Sequence, residues 1–295
     1  MTGGGAMMAP PHSKESRQMT LLLDIITTAA ILFIIATGLL TIFGVLKIIN
    51  FAHGAWLTVG AYCAVAVGDL GWNPWAALPV AFVIGAALGG LTERFIVRPL
   101  YARPLDAILA TWGLGIIIGQ LITLGFGRDV QFTAALLPGT ADVFGTSYSV
   151  YRLFALAAAI AIGLGFSWLM EGTRLGLSAR AVIMNEALAR ALGLDTRRIR
   201  WVTFMIGCGL AALAGTLLTP LTSVDPNMGV AWLVGSFMLV MVAGQSFAAL
   251  ALACLLLGGA QVIVSTYVSP ILGGITVAVL AAVVLRISPK GFSRV

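Results

Sequence analysis

The stretch Lys47–Tyr62 reads KIINFAHGAWLTVGAY, and its interpretation decides the fold. The sequence on either side is almost continuously apolar, yet Lys47, Asn50 and His53 come close together here, with Gly54 directly after. Polar side chains at membrane depth are costly, and non-helical backbone survives there only where protein buries it or a cavity lines it. A loop between two ordinary helices fits poorly. A re-entrant or broken element fits better, with the break at Asn50–Gly54 and a helix from about Gly54.

The composition around this stretch fixes the class. The 295 residues are 60% hydrophobic and 9% charged, with a mean hydropathy of +1.03, whereas a soluble domain is about a quarter charged. The chain therefore reads as an all-α polytopic membrane protein. A bilayer core of about 30 Å takes about 20 apolar residues in a helix. Runs near that length fall at Ile25–Leu46, Trp75–Leu91, Ala107–Phe126, Val150–Met170, Trp201–Leu221, Phe247–Tyr267 and Ile271–Leu285. Two shorter runs, Gly54–Val67 and Val230–Ala243, bring the expectation to eight or nine membrane elements, two of them partial. Residues 1–19 are expected to form a disordered tail, polar and bearing Gly and Pro, ahead of a transmembrane domain over 20–295. The first apolar run is too long for a cleaved signal and stays as a helix. Cys63, Cys208 and Cys254 sit singly in apolar runs and read as small core residues.

The net charge of +6 lies mostly between the apolar runs, as orienting loop charges do, and is not a nucleic-acid signal. Three basic segments should face the cytoplasm: Glu93–Asp106, Glu171–Arg200, and a tail with Arg286, Lys290 and Arg294. Gly71–Asn73, Arg128–Ser149 and Thr222–Gly229 are poor in Lys and Arg and face the other way. Counting backward from Glu93 puts the N-terminus outside, while Lys14 and Arg17 favour inside. The conflict disappears if Lys47–Tyr62 dips into the membrane and returns on the same side.

Enzyme chemistry finds no footing. There is no GxxxxGK[ST], GxSxG or HExxH pattern and no paired carboxylate within the membrane, and His12 and His53 each stand alone. Transport by a path between helices remains. Within Glu171–Arg200, SARAVIMNEALARALGLD is expected to form a short amphipathic helix. Ala181, Met184, Leu188, Ala191 and Leu192 lie on one face, Arg180, Asn185, Glu186 and Arg190 are polar, and Gly193 supplies a stop. Such a helix either lies on lipid headgroups or docks a soluble partner. A faint internal repeat pairs LKIINFAHGAWLTVGAYCAVAVG with MVAGQSFAALALACLLLGG (Met241–Gly259). Repeat-built transporters place broken helices at the midplane with half-helix N-termini toward the solute. A weak inverted repeat is therefore part of the expected architecture.

Asn50-Phe51-Ala52-His53-Gly54 matches the Asn-[Phe/Met]-Ala-His-Gly core of a known family. The chain resembles the permease subunits of ABC importers for branched-chain amino acids and their urea and short-amide relatives. The resemblance runs on through Glu93–Gln120, Glu186–Leu218 and Arg286–Phe292. LATWGLG (Leu109–Gly115) and SVDPNMG (Ser223–Gly229) look more like the urea/amide branch. Where the family carries a Gly-Gly-x-Gly-[Ser/Asn] turn, this chain has Ala243-Gly244-Gln245-Ser246-Phe247, a departure that leaves the second-half site and the solute open.

The resemblance implies a bacterial inner-membrane importer working by alternating access. Its partners would be a second homologous permease, two ATPase subunits and a periplasmic solute-binding protein, with the lipid bilayer around it and no nucleic acid. This chain would hold no cofactor; ATP and magnesium would be bound by the ATPase partners. The segment 171–200 would be the coupling segment, with Arg180, Asn185, Glu186, Arg190 and Gly193 in the coupling helix. Asn50 and His53 are the first candidates for the substrate path, followed by Thr111, Trp112, Gln120 and Gln245. Asn50 serves equally well as a cap of the half-helix, and His53 as a tie between helices. Asp225 and Asn227 are candidates for seating the binding protein, and Asp225-Pro226 is also an ordinary turn. The rivals from other classes are an autonomous channel or ion-coupled carrier for urea or ammonium, and a non-transporting scaffold. The carboxylates Asp24, Asp69, Asp106 and Glu171 stand at segment ends, which disfavours ion coupling.

Overall fold

The computed structural model describes residues 14–143, 145–289 and 291–292. Seven helices are long and apolar enough to cross a membrane. These are α1 (Lys14–Leu46), α3 (Ala77–Thr92, prolonged by irregular helical turns to Leu100), α4 (Pro104–Phe126), α5 (Val150–Gly172), α8 (Thr196–Leu218), α10 (Phe247–Tyr267) and α11 (Pro270–Ile287). Two shorter helices, α2 (His53–Asp69) and α9 (Met228–Ala243), are the two partial elements expected from the sequence. The all-α polytopic class is as expected, apart from one outer hairpin, β1 (Thr140–Val143) and β2 (Thr146–Ser149), paired antiparallel. Of the tail expected over 1–19, residues 1–13 lie outside the described residues and Lys14 onward is helical. Lys290 and Arg294 also lie outside them.

α1 and α8 form the axis of the molecule. They run antiparallel and cross where glycine faces glycine: a Cβ on Gly38 would stand 2.7 Å from the Gly207 carbonyl oxygen, and one on Gly207 would stand 2.8 Å from that of Gly38. A side chain on either would separate the two backbones, so small residues set this close approach.

After α1 the chain turns sharply. Lys47 has φ +56°, a left-handed conformation uncommon for a residue with a side chain, and its N–H still bonds Phe43 O. The non-helical segment Ile48–Ala52 then runs back along α1, so that His53 lies against Ile35 and Gly38, far from the α1 terminus. α2 starts at that depth and continues antiparallel to α1 as far as Asp69, near Gln131 and Pro220. The element is therefore broken but not re-entrant. This corrects the device that would have brought the N-terminus inside. α1 ends on the same side as the first turn of α8 and the last turn of α3, because α8 is antiparallel to both. That side is the arginine-rich one, so the start of α1 lies on the opposite face, with the hairpin. There Asp24 Oδ1 accepts from Arg152 at 2.5 Å and from the Tyr148 hydroxyl at 2.8 Å, tying α1 to β2 and α5.

The second half repeats this plan upside down. After α8 the chain doubles back through Thr219–Asn227, held by a two-way backbone bridge between Val224 and Gln131. α9 then starts beside the start of α2 and runs the opposite way, its end packing near Leu39, Leu40 and Phe292. α3 packs on α8, and α10 packs on α1. The repeat is inverted, with α1–α2–α3 corresponding to α8–α9–α10. The counterpart of Asn50–Trp56 is thus Asp225–Trp232, one residue longer, and not the Met241–Gly259 segment suggested by composition. Its sequence echo is HGAWL against MGVAWL. The Ala243–Phe247 stretch is the α9–α10 turn at the arginine-rich end, with Gly244 at φ +69° and the Ser246 side chain accepting from Ala249 N–H.

Candidate functional site

The two short helices meet start to start at mid-depth. A Cβ on Gly229 would lie 1.8 Å from Gly54 O, and one on Gly54 would lie 2.6 Å from Gly229 O. Thr58, fully enclosed, bridges them: its hydroxyl donates to Gly54 O at 3.2 Å and accepts from Gly229 N–H at 3.2 Å. A helix start exposes N–H groups with no intrahelical partner and carries partial positive charge. The amides of Gly54 and Ala55 meet no acceptor among the described residues. The two ends overlap side by side and point in opposite directions, and at the start of α9 the amides of Met228, Gly229 and Val230 are already taken by Asp225 O, Thr58 Oγ1 and Asn227 O.

Asn50 and His53 are both buried at this break. Asn50 Oδ1 accepts from Ala52 N–H at 3.1 Å, and its carbonyl accepts from His53 N–H at 3.2 Å. Asn50 thus holds the turn, and Ala52 rather than Asn50 is the residue preceding the helix. His53 Nε2 lies 3.0 Å from Ile35 O and ties the half-helix to α1. The Asn50 amide nitrogen and His53 Nδ1 are buried without a protein partner. Thr111 is fully buried on α4, accepting from Phe51 N–H at 3.2 Å and donating to Ile108 O at 3.0 Å. Trp112 is half exposed and meets the Phe51 ring edge-on, with centroids 5.6 Å apart.

A groove of about 70 Å³ opens over this junction. Phe51, Gly54, Trp112, Ile116, Asn227 and Val230 are among its walls. The structure therefore brings together Asn50, His53, Thr111 and Trp112, and adds Asn227, which the sequence had suggested only for docking. Asp225 Oδ1 accepts from Asn227 N–H at 2.9 Å, so Asp225 shapes the turn that delivers Asn227. Gln120 is exposed on α4, and Gln245 sits in the α9–α10 turn at the arginine-rich end, away from the junction. Gly229 and Thr58 were missed, and the HGAW/MGVAW echo was the one signal that could have found them.

On the arginine-rich face the expected single coupling helix is two: α6 (Arg174–Met184) and α7 (Glu186–Ala191). Asn185 breaks them apart and caps α7, its Oδ1 accepting from Leu188 N–H at 3.0 Å. Gly193 takes φ +85° and ends the segment. Met184, Leu188 and Leu192 project with 87%, 56% and 73% of their surface exposed. Arg180 is exposed as well. Beneath them Glu186 pairs with Arg190 and Arg200, and the Arg200 guanidinium covers the Tyr101 ring at 4.6 Å. Tyr101 donates to Glu93, which is fully buried and also takes two bonds from Arg98, at 2.9 and 3.3 Å. Burial and the bond to Glu93 push the Tyr101 hydroxyl far above its ordinary pKa, so it remains a donor at physiological pH. This chain of contacts links α7 and the start of α8 to the end of α3 and was not legible in the sequence.

Seven long apolar helices, paired half-helices and a groove where they meet define a membrane permease of inverted-repeat build. The chain belongs to the family described as branched-chain amino acid transport system / permease component, which matches residues 21–287. It is thus a multi-pass permease component of the bacterial inner membrane. The high-affinity branched-chain amino acid transport permease LivH of Escherichia coli is 28% identical over 90% of this chain and 92% of its own. BraD of Pseudomonas aeruginosa, with the same description, is 28% identical over 71% and 73%. The ribose import permease RbsC of Haemophilus influenzae is 25% identical over 76% and 69%. The solved structure of PsaBC from Streptococcus pneumoniae in complex with Fab has a TM-score of 0.50 and 17% identity over 93% of this chain and 94% of that one, a likeness of fold alone.

Proposed function

We propose that this chain forms the translocation path of an ATP-driven importer of branched-chain amino acids. The observation that carries it is the head-to-head start of α2 and α9 at Gly54 and Gly229, beside a groove walled by Phe51, Trp112, Ile116, Val230 and Leu233. The unbonded amides of Gly54 and Ala55 at the start of α2 favour a carboxylate, and the apolar walls suit an aliphatic side chain. Descriptions of LivH and BraD as branched-chain amino acid permeases support the same solute.

In this reading ATPase subunits seat on Met184, Leu188 and Leu192, and a second permease faces the exposed side of α4 at Leu109, Ile116 and Leu124. A binding protein delivers the solute to the hairpin face. Closure of the ATPases shifts α6–α7, and the Glu186–Arg200–Tyr101–Glu93 chain passes that shift to α8 and α3, changing the side on which the groove is open. The test is uptake of radiolabelled leucine into proteoliposomes holding this permease with its partner permease and ATPases, with binding protein added outside. ATP-dependent leucine uptake is expected. Uptake of equal rate without ATPases would establish the channel or carrier alternative, and ATP-dependent uptake of urea in place of leucine would overturn the solute.

A further inference from the structure

A second cavity, of about 380 Å³, lies at the arginine-rich end, apart from the groove at Gly54. Its volume falls within the roughly 300–1,000 Å³ typical of small-molecule sites. It is a half-open cleft bounded by the last third of α1, the end of α5, α6, the start of α8 and the α9–α10 turn. Leu40, Phe166 and Ile183 contribute apolar wall. Glu171, Arg180 and Gln245, all three exposed, and the buried Thr203 are among its polar lining residues. Glu171 and Arg180 are its charged lining residues, of opposite sign, and neither is ion-paired among the described residues. Thr203 is 2% exposed, and its hydroxyl is buried with no partner. A buried polar group left unbonded costs about 1–3 kcal/mol, which an unlinked native hydroxyl seldom bears without a purpose.

One carboxylate, one guanidinium, a buried hydroxyl and an apolar wall around one small space complement a small zwitterion with an aliphatic tail. We propose that this cavity is a second amino-acid site, on the ATPase side, taking the α-ammonium at Glu171, the α-carboxylate at Arg180 and the aliphatic side chain along Leu40, Phe166 and Ile183. The Thr203 hydroxyl is sealed from the cavity in this conformation, and rotation of its side chain adds a hydrogen bond at the carboxylate end. The choice of an aliphatic amino acid rests on the proposed branched-chain solute, while the need for a zwitterion rests on the cavity alone.

The test is equilibrium binding of radiolabelled leucine to the purified assembled importer in detergent, without binding protein or ATP. Competitors are 4-methyl-2-oxopentanoate, which lacks the ammonium, and isoamylamine, which lacks the carboxylate. Wild type should prefer leucine to each by at least about tenfold, the loss of one charge-assisted bond of about 1.5–3 kcal/mol. Glu171→Gln should weaken leucine at least about tenfold and leave the oxo acid unchanged; Arg180→Gln should weaken leucine and the oxo acid and leave the amine unchanged. Thr203→Val should weaken leucine and the oxo acid alone, and it supplies the carboxylate arm if Arg180→Gln fails to assemble. Leucine binding unaffected in Glu171→Gln, equal weakening of all three compounds, or a co-purified phospholipid filling the cavity would each overturn the site. Binding-protein-driven leucine import is measured on the same preparation. Import without the Glu171-dependent binding overturns the site and leaves the transport reading standing, and the reverse result overturns the transport reading alone.

Discussion

Replacing Gly229 with alanine tests the junction of half-helices most directly. The added methyl would lie 1.8 Å from Gly54 O and 2.5 Å from Gly54 C, about 1.6 Å inside ordinary van der Waals contact at 3.4 Å. Both atoms are backbone, so no side-chain rotation relieves the clash and α2 and α9 must move apart. Parting them also stretches the bond from Gly229 N–H to Thr58. Overpacking a close-packed interior costs about 1–3 kcal/mol, and an immovable partner places this change at about 3 kcal/mol. A methyl on Gly235, in the same helix, would meet nothing within 4 Å, so Gly235→Ala should be neutral or stabilising by up to about 1 kcal/mol through helix propensity. Thermal unfolding of each purified variant in detergent, together with leucine uptake in proteoliposomes, reads the difference. Gly229→Ala should melt well below both wild type and Gly235→Ala and lose uptake. If it melts with Gly235→Ala and transports normally, the two half-helices do not meet as described.

Other perturbations address the remaining parts. Glu93→Ala leaves the Tyr101 hydroxyl without its buried acceptor, while Arg98, a third exposed, turns to water, and should destabilise the protein by about 1–3 kcal/mol, measured by thermal unfolding. Leu188→Asp removes an exposed apolar side chain from α7, the proposed seat of the ATPases, so it should leave the melting temperature within experimental error while reducing co-purification of the ATPases. Arg190→Ala breaks an exposed pair with Glu186 and should cost no more than about 1 kcal/mol, so a larger fall in ATP-driven uptake would have to come through coupling. His53→Leu removes the tie to Ile35 O; it should lower stability, and unchanged uptake with an unchanged range of solutes would take His53 out of the path.

Much of this architecture was legible before the fold was known. Apolar run lengths located the seven long helices and the two short ones, because length and hydropathy are local properties. The arginines of Glu93–Asp106 and Glu171–Arg200 marked one face for the same reason. The break at Asn50–Gly54 was visible because its residues are wrong for an ordinary span. Its partner was not visible, because Gly54 and Gly229 are far apart in sequence and one glycine among 35 carries little signal. Composition pointed to Met241–Gly259, since helices rich in small residues resemble one another whatever their position in the fold. Asn185 splits α6 from α7 by capping, which a reading based on one amphipathic face overlooked.

The sequence by itself determined a polytopic helical membrane protein, the broken element at Lys47–Tyr62 and the sidedness of the arginine-rich segments, because each follows from the hydropathy and charge of contiguous residues. The tertiary structure alone decided that the break crosses rather than returns, that α2 and α9 begin together at mid-depth, and that Asn227 belongs beside Phe51 and Trp112. Those facts depend on backbones brought within contact by Gly38, Gly207, Gly54 and Gly229, and the absence of a side chain takes its meaning from what lies across from it.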